Sequence, residues 1–210
     1  MTAVKSSSAG RAALMRADPV LARHMEKVGA YGLTIEPLTS VYEALARSIV
    51  YQQLTGKAAA TIFGRLEALG AVDGKPALPR PAALLMLDDA VLRGAGLSGA
   101  KTRALQDLAL RQDEGLLPPA DVAAGLDDDV LIELLSRVRG IGPWSVQMLL
   151  MFRLGRRDVM PSTDYGVQKG YQKVFRKKAL PKPKELAAAS ERWKPHRTMA
   201  AWYLWRALDS

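Results

Sequence analysis

The sequence predicts an all-α protein. Apolar residues recur at helical spacing along most of the chain, and cap and breaker residues punctuate that spacing. No run of alternating β-branched residues reads as a strand, and no internal repeat is evident. The composition is that of an ordinary globular protein, with 49% apolar and 24% charged residues. At 210 residues the chain has room for one or two domains and a sizeable core.

Met1–Gly10 is small and polar and reads as a start that frays. From Val41 onward Val41, Tyr42, Leu45, Ala46, Ile49, Val50 and Leu54 hold helical spacing, with Thr39 or Ser40 as N-cap. An Ala-rich helix over about Gly56–Leu69 stops at Gly70. Ala71–Pro81 holds four prolines and glycines and reads as a loop. A short helix near Ala82–Met86 precedes one that begins around Asp88 and stops at Gly94 or Gly96. Ser98 caps a helix carrying Leu105, Leu108 and Ala109. Asp127–Asp129 open the next, acids at the positive end of its dipole, and it runs to about Arg137. Pro143–Leu154 is apolar nearly all round and predicts a buried helix. Helices over about Tyr165–Phe175 and Lys194–Leu208 complete the set.

The absence of cysteine excludes disulfides, thiolate-bound zinc and an iron–sulfur cluster, and fits a reducing compartment. The longest unbroken apolar run, Met148–Phe152, is far too short to span a bilayer. No charged-then-apolar leader opens the chain, so secretion is not expected. The net charge is +9, and it is unevenly spread: Val138–Ser210 carries 15 basic and 5 acidic residues. Between Lys169 and Lys184 there are seven basic residues and no acid. Such a field suits a polyanion, most simply nucleic acid, or it is a solvated helix face and a basic loop.

Two glycine patterns fail on inspection. Gly94–Gly99 has phosphate-loop spacing, but Ala100 precedes Lys101 and the Gly-Lys-Thr ending is missing. Gly140-Ile141-Gly142 ends in Ser145 instead of a third glycine, with no strand before it. His24 and His196, the two histidines, stand in no metal-ligand spacing, and no nucleophile elbow supports a serine triad.

Leu135–Trp144 carries more information: an amphipathic helix, a turn with two glycines, then a helix opened by Pro143. Glycine permits positive φ and close approach of a partner to the backbone. Free N–H groups at a helix start make a phosphate site that holds a duplex without reading its sequence. The same spacing also fits an ordinary tight helix–helix turn.

With these residues in view, the chain resembles the helix-hairpin-helix DNA glycosylase superfamily. Val138-Arg139-Gly140-Ile141-Gly142-Pro143-Trp144 is similar to that superfamily's hairpin, and Met160-Pro161-Ser162-Thr163-Asp164-Tyr165 resembles the loop with its catalytic aspartate. Arg47–Leu54, then Gly96-Leu97-Ser98 with Lys101, then Glu191-Arg192-Trp193-Lys194-Pro195 through Trp205, resemble one branch, the 3-methyladenine DNA glycosylase II family. The likeness covers about Leu38–Leu208, in order. Arg139 stands where the hairpin usually has proline, and could add a phosphate contact.

The resemblance implies two helical subdomains flanking a DNA cleft, in a compact form without the extra N-terminal β domain of some members. It places residues 1–38 with the C-terminal subdomain, a central subdomain at 39–155 containing the hairpin at 135–154, and a C-terminal subdomain with the catalytic loop at 156–210. The implied activity is monofunctional: an alkylated purine such as 3-methyladenine or 7-methylguanine is flipped out and its N-glycosidic bond hydrolysed, leaving an abasic site. Asp164 is then the catalytic carboxylate, although Asp at a helix start is also an ordinary N-cap. Trp144, Tyr165 and Trp205 match the aromatic base pocket, and Met148 stands where some relatives have an aromatic. Trp193 and Trp202 read as structural.

Leu54 matches the minor-groove wedge with Gln53 beside it, unless Leu54 is a core or helix-end leucine. Gly140, Gly142, Lys101, Arg139, Lys169 and Lys173 are the implied DNA contacts, with Lys101 equally readable as a solvated helix residue. Trp144 stands where bifunctional relatives place a Schiff-base lysine, which argues against strand cutting. The carbonyls of Ser136, Val138 and Ile141 match positions that can hold a structural monovalent cation, and no other cofactor is implied. The implied partner is damaged double-stranded DNA, bound by a monomer in the cytoplasm, at the nucleoid of a bacterium or in the nucleus of a eukaryote. Two other readings compete: a non-catalytic helix-hairpin-helix DNA-binding or damage-sensing protein, and a glycosylase for deaminated or etheno bases.

Overall fold

The computed structural model describes Thr2–Ala3 and residues 8–209, and these are mostly helical. The chain forms two compact units, Met1–Pro37 with Gln147–Ser210, and Leu38–Val146. The chain passes from one unit to the other twice, at 37–38 in a loop and at 146–147 inside a continuous helix, where no loop marks the division. The boundary expected at residue 155 lies past it.

The N-terminal segment is more ordered than its composition predicts. Ser8–Gly10 of the stretch expected to fray belong to α1 (Ser8–Ala17), and Thr2–Ala3 form strand β1; Met1 and residues 4–7 lie outside the described residues. Strand β1 pairs antiparallel with β2 (Thr34–Ile35), a ladder too short to leave an alternating run. Helix α2 (Pro19–Val28) opens with proline and is capped by Asp18, whose Oδ1 accepts the Val20 and Leu21 N–H groups at 3.0 Å each. Neither α1 nor α2 was anticipated.

In the second unit, caps set most boundaries. Helix α3 (Val41–Tyr51) is capped by the Ser40 hydroxyl, and α4 (Gly56–Ala68) by Thr55. The helical spacing that included Leu54 stops earlier, because the backbone turns extended at Gln52. Gly70 ends the α4 region with a reason: a Cβ there would meet Pro79 N at 2.4 Å. Short α5 (Pro81–Leu85) and α6 (Asp89–Gly94) pack on α7 (Gly99–Asp113), which Ser98 caps. Helix α8 (Ala120–Gly125) was not foreseen; α9 (Asp128–Leu135) is shorter than expected. Leu45, Ile49, Leu66, Leu105, Leu108 and Leu135 are fully buried.

Helix α10 (Pro143–Phe152) carries the chain onward. Its Val146, Leu150 and Met151 are buried as predicted, but Trp144 is 42% exposed. In the first unit α11 (Tyr165–Val174) packs on α13 (Arg197–Arg206). Gly170 permits this: a Cβ would lie 2.0 Å from the Leu204 carbonyl oxygen. Helix α12 (Pro183–Ser190), also unforeseen, and a 3₁₀ turn at Glu191–Trp193 precede α13, so the helix expected from Lys194 starts at Arg197. Asp18 ties the chain's two ends within this unit. Its Oδ2 accepts the indole N–H of fully buried Trp193 at 3.0 Å and Arg192 Nε at 2.9 Å.

Candidate active site

Asp164 sits where a tightly braced loop enters α11. Before it, Arg197 forks onto Asp158 with bonds of 2.8 and 3.0 Å, and the Thr198 hydroxyl donates to the Arg156 carbonyl at 2.7 Å. Within the loop, Asp164 N–H donates to Pro161 O at 2.9 Å, and Gln168 Nε2 to Ser162 O at 2.8 Å. The Asp164 backbone is extended and its Oδ1 accepts Val167 N–H at 2.8 Å, so it is the N-cap of α11. The same Oδ1 accepts the Trp205 indole N–H at 2.8 Å. The residue is therefore a cap and a carboxylate beside an aromatic at once.

Trp205 is held by more than that bond. Its ring stacks on Phe152, centroids 5.9 Å apart at 29°. Gly166 leaves room for it: a Cβ there would lie 2.9 Å from Trp205 Cδ1 and 3.1 Å from Asp164 Oδ1. Tyr165 is 64% exposed beside the cap, and Lys169 Nζ lies 5.9 Å from its ring while donating to Gln172 Oε1 at 3.1 Å. Met148 is half-buried on α10, and Lys173 is exposed near the end of α11. The structure thus brings Asp164, Tyr165 and Trp205 together in one unit, while Trp144 belongs to the other. Trp193 and Trp202 pack among Tyr31, Tyr171, Phe175 and Tyr203.

The second unit holds the hairpin and the turn after α3. Gly140 takes φ +78°, the left-handed region that favours glycine; among the hairpin's two glycines only this one needs it. A Cβ on Gly142 would meet nothing within 4 Å, so that backbone faces open space. The turn is braced from beneath: Arg139 N–H donates to Asp107 Oδ2 at 2.7 Å, and Asp107 also accepts Arg111 Nε at 2.9 Å. The Arg139 residue itself is exposed. The Ser136 hydroxyl is buried and has no hydrogen-bond partner among the described residues.

Gln53 occupies the left-handed region at φ +56°, and Leu54 after it is 39% exposed, so Leu54 is not a core leucine. The Lys101 ammonium is part-buried and donates to the carbonyls of Val50 and Gln52, 2.8 Å each, so it is not merely a solvated helix residue. Burial pushes the Lys101 pKa down from the usual lysine range. The sequence reading missed Gln52, whose Nε2 donates to Gly140 O at 2.8 Å, and also Asp107, Phe152 and Gly166. Only Gly166 left a signal, as a glycine two residues past the aspartate.

His24 Nε2 bonds the Tyr203 carbonyl at 2.7 Å, a structural role. Among the described residues no group of three His, Cys, Asp or Glu could hold a metal ion, and no helix is long and apolar enough to cross a membrane.

A helical fold with a glycine hairpin opened by proline, and an aspartate capping a helix beside tryptophan, defines a class of DNA repair protein. Residues 46–196 match the HhH-GPD superfamily base excision DNA repair protein family, and the chain belongs to it. It is 38% identical over 165 residues, 79% of this chain and 71% of the relative, to DNA-3-methyladenine glycosylase 1 of Schizosaccharomyces pombe. Two solved structures are similar. One is the 3-methyladenine DNA glycosylase of that yeast in complex with abasic DNA, with TM-score 0.79, 34% identity and coverage of 95% of this chain and 96% of that one. The other is the DNA-3-methyladenine glycosidase of Bacillus halodurans, with TM-score 0.84, 32% identity and coverage of 99% and 92%.

Proposed function

We propose that this protein is a monofunctional DNA glycosylase of base excision repair, acting on alkylated purines of the 3-methyladenine and 7-methylguanine type in duplex DNA. The observation that carries this is the Asp164 carboxylate, fixed at one oxygen by the Trp205 indole and the Val167 N–H, in a family whose similar members bear that name. Such a base is cationic and departs neutral, so its bond to C1′ breaks with little general-acid help. The electron pair leaves with the base and the sugar becomes oxocarbenium-like. Asp164 stabilises that charge and takes the proton of the water that adds to C1′. Tyr165 and Trp205 offer a pocket of electron-rich faces to the flipped cation, worth about 0.5–2 kcal/mol each. Met148 completes that pocket. Trp144 has no amine to form a Schiff base, so the strand stays intact.

The DNA contacts follow from the hairpin. The Gly140 and Gly142 backbone takes phosphates, with Arg139, Lys169 and Lys173 adding charge. Leu54 and Gln53 fill the space of the flipped base. The carbonyls of Ser136, Val138 and Ile141 could hold a monovalent cation, and the orphaned Ser136 hydroxyl is a fitting further oxygen. When bound, the ion would supply positive charge near a phosphate. The protein works as a monomer.

The test is base release from methylated duplex DNA, resolved by chromatography, beside Asp164→Asn. The parent releases 3-methyladenine or 7-methylguanine with no strand cut until alkali is added, and the variant falls by about 10²-fold or more while still binding DNA. Release of neither base by the parent overturns the substrate class. Release of deaminated or etheno bases would replace it, and tight binding without any release would leave a damage-binding protein.

A further inference from the structure

Lys101 stands in the first turn of α7, where a cation opposes the helix dipole. Its ammonium reaches back to the opposite end of another helix. Helix α3 stops at Tyr51 and the chain leaves it extended at Gln52, so the Val50 and Gln52 carbonyls lose the N–H partners a further turn would bring. Lys101 Nζ supplies both, at 2.8 Å each, at the negative end of α3. The next residue, Gln53, holds a left-handed backbone that a residue with a Cβ adopts only under constraint. From the other side, Gln52 Nε2 fastens the same turn to the carbonyl of Gly140, the hairpin's own left-handed residue.

We propose that Lys101 is a positioning residue that sets the Gln53-Leu54 turn and locks it to the hairpin. This rests on the reading of Leu54 as the wedge. The hairpin fixes the register of the duplex through its phosphates, and the turn must then meet the stack at one place. Two carbonyl bonds from Lys101 and one amide bond from Gln52 make turn and hairpin one piece, so holding the phosphates also aims Leu54. Without the ammonium, two carbonyls at a helix end lose their partner, and Gln53 relaxes out of the left-handed region. Leu54 then meets the stack in many positions rather than one.

A wedge matters only where a base has to be unpaired and its place filled. The loss should therefore depend on the substrate and not only on the protein. Single-turnover excision of one alkylated purine is measured in two oligonucleotides, one with the lesion paired in a duplex and one with it unpaired in a bulge. Lys101→Met is expected to lose about tenfold or more on the paired lesion and stay within about twofold of the parent on the bulged one. Lys101→Arg, which keeps two donors, should restore most of the paired rate. The slope of affinity against salt should be unchanged, because on this reading the ammonium is spent on the two carbonyls and not on a phosphate.

Equal losses on both lesions, no loss on either, failure of Lys101→Arg to restore the rate, or a salt slope shallower by about one each overturns the proposal. Leu54→Ala run alongside separates the two layers. If Leu54→Ala excises the paired lesion at the parent rate, the wedge reading falls. If it fails there while Lys101→Met does not, only the role of Lys101 falls.

Discussion

Replacing Trp205 by phenylalanine isolates one bond. The substitution keeps a ring to stack on Phe152 and removes the indole N–H that donates to Asp164 Oδ1 at 2.8 Å. A hydrogen bond to a charged group contributes about 1.5–3 kcal/mol net. If the whole of that is felt when the sugar becomes cationic, the rate falls by about 10- to 150-fold. The Val167 N–H still holds the same oxygen, so the carboxylate is loosened and not released. The assay is single-turnover excision with enzyme in excess, together with affinity for abasic DNA, which should change little. A ring that serves only to stack on the base predicts another pattern: Trp205→Phe keeps the rate and Trp205→Ala loses it. A folded Trp205→Phe protein within about twofold of the parent rate would refute the indole's role in holding Asp164.

Other substitutions probe the scaffold around that bond. Gly166→Ala puts a methyl 2.9 Å from Trp205 Cδ1 and 3.1 Å from Asp164 Oδ1, so excision should fall as in Trp205→Phe, seen in the same single-turnover assay. Gly170→Ala drives a methyl to 2.0 Å from the Leu204 carbonyl oxygen; because backbone must move, the cost should reach about 2 kcal/mol or more in urea unfolding. Asp18→Asn sets amide donors against the Trp193 and Arg192 donors, and should cost about 1.5–3 kcal/mol and lower the melting temperature by about 3–12 °C. Lys173→Gln should weaken binding to all duplexes alike and reduce the salt slope by about one, measured by fluorescence anisotropy.

What the sequence made legible was local. Ser40 and Ser98 cap the helices that begin after them, and Asp164 caps α11, each bonding a backbone N–H three residues on. Signals of that range can be read along the chain. Helix α2 carries the same kind of local signal, Asp18 as cap and Pro19 at its start, and was overlooked; what the letters could not show is the second bond of Asp18, to Trp193 175 residues later. The pairing of β1 with β2 involves two residues on each strand, below any periodicity. At the site, Asp164 could be named from its motif, yet its bond to Trp205 spans 41 residues, and Trp205 was read only as a ring.

Lys101 shows where more could have been drawn from the same letters. A lysine in the first turn of a helix works against that helix's own dipole, and on a solvated face nothing would offset the cost. Its position was therefore a sign of an acceptor elsewhere, and the acceptors are carbonyls 49 and 51 residues earlier. The structure adds the matching sign on the other side, since Gln53, a non-glycine residue held left-handed, needs bonds around it. Residues that conflict with their own element point to contacts between elements. Here two such residues meet at the turn that presents Leu54.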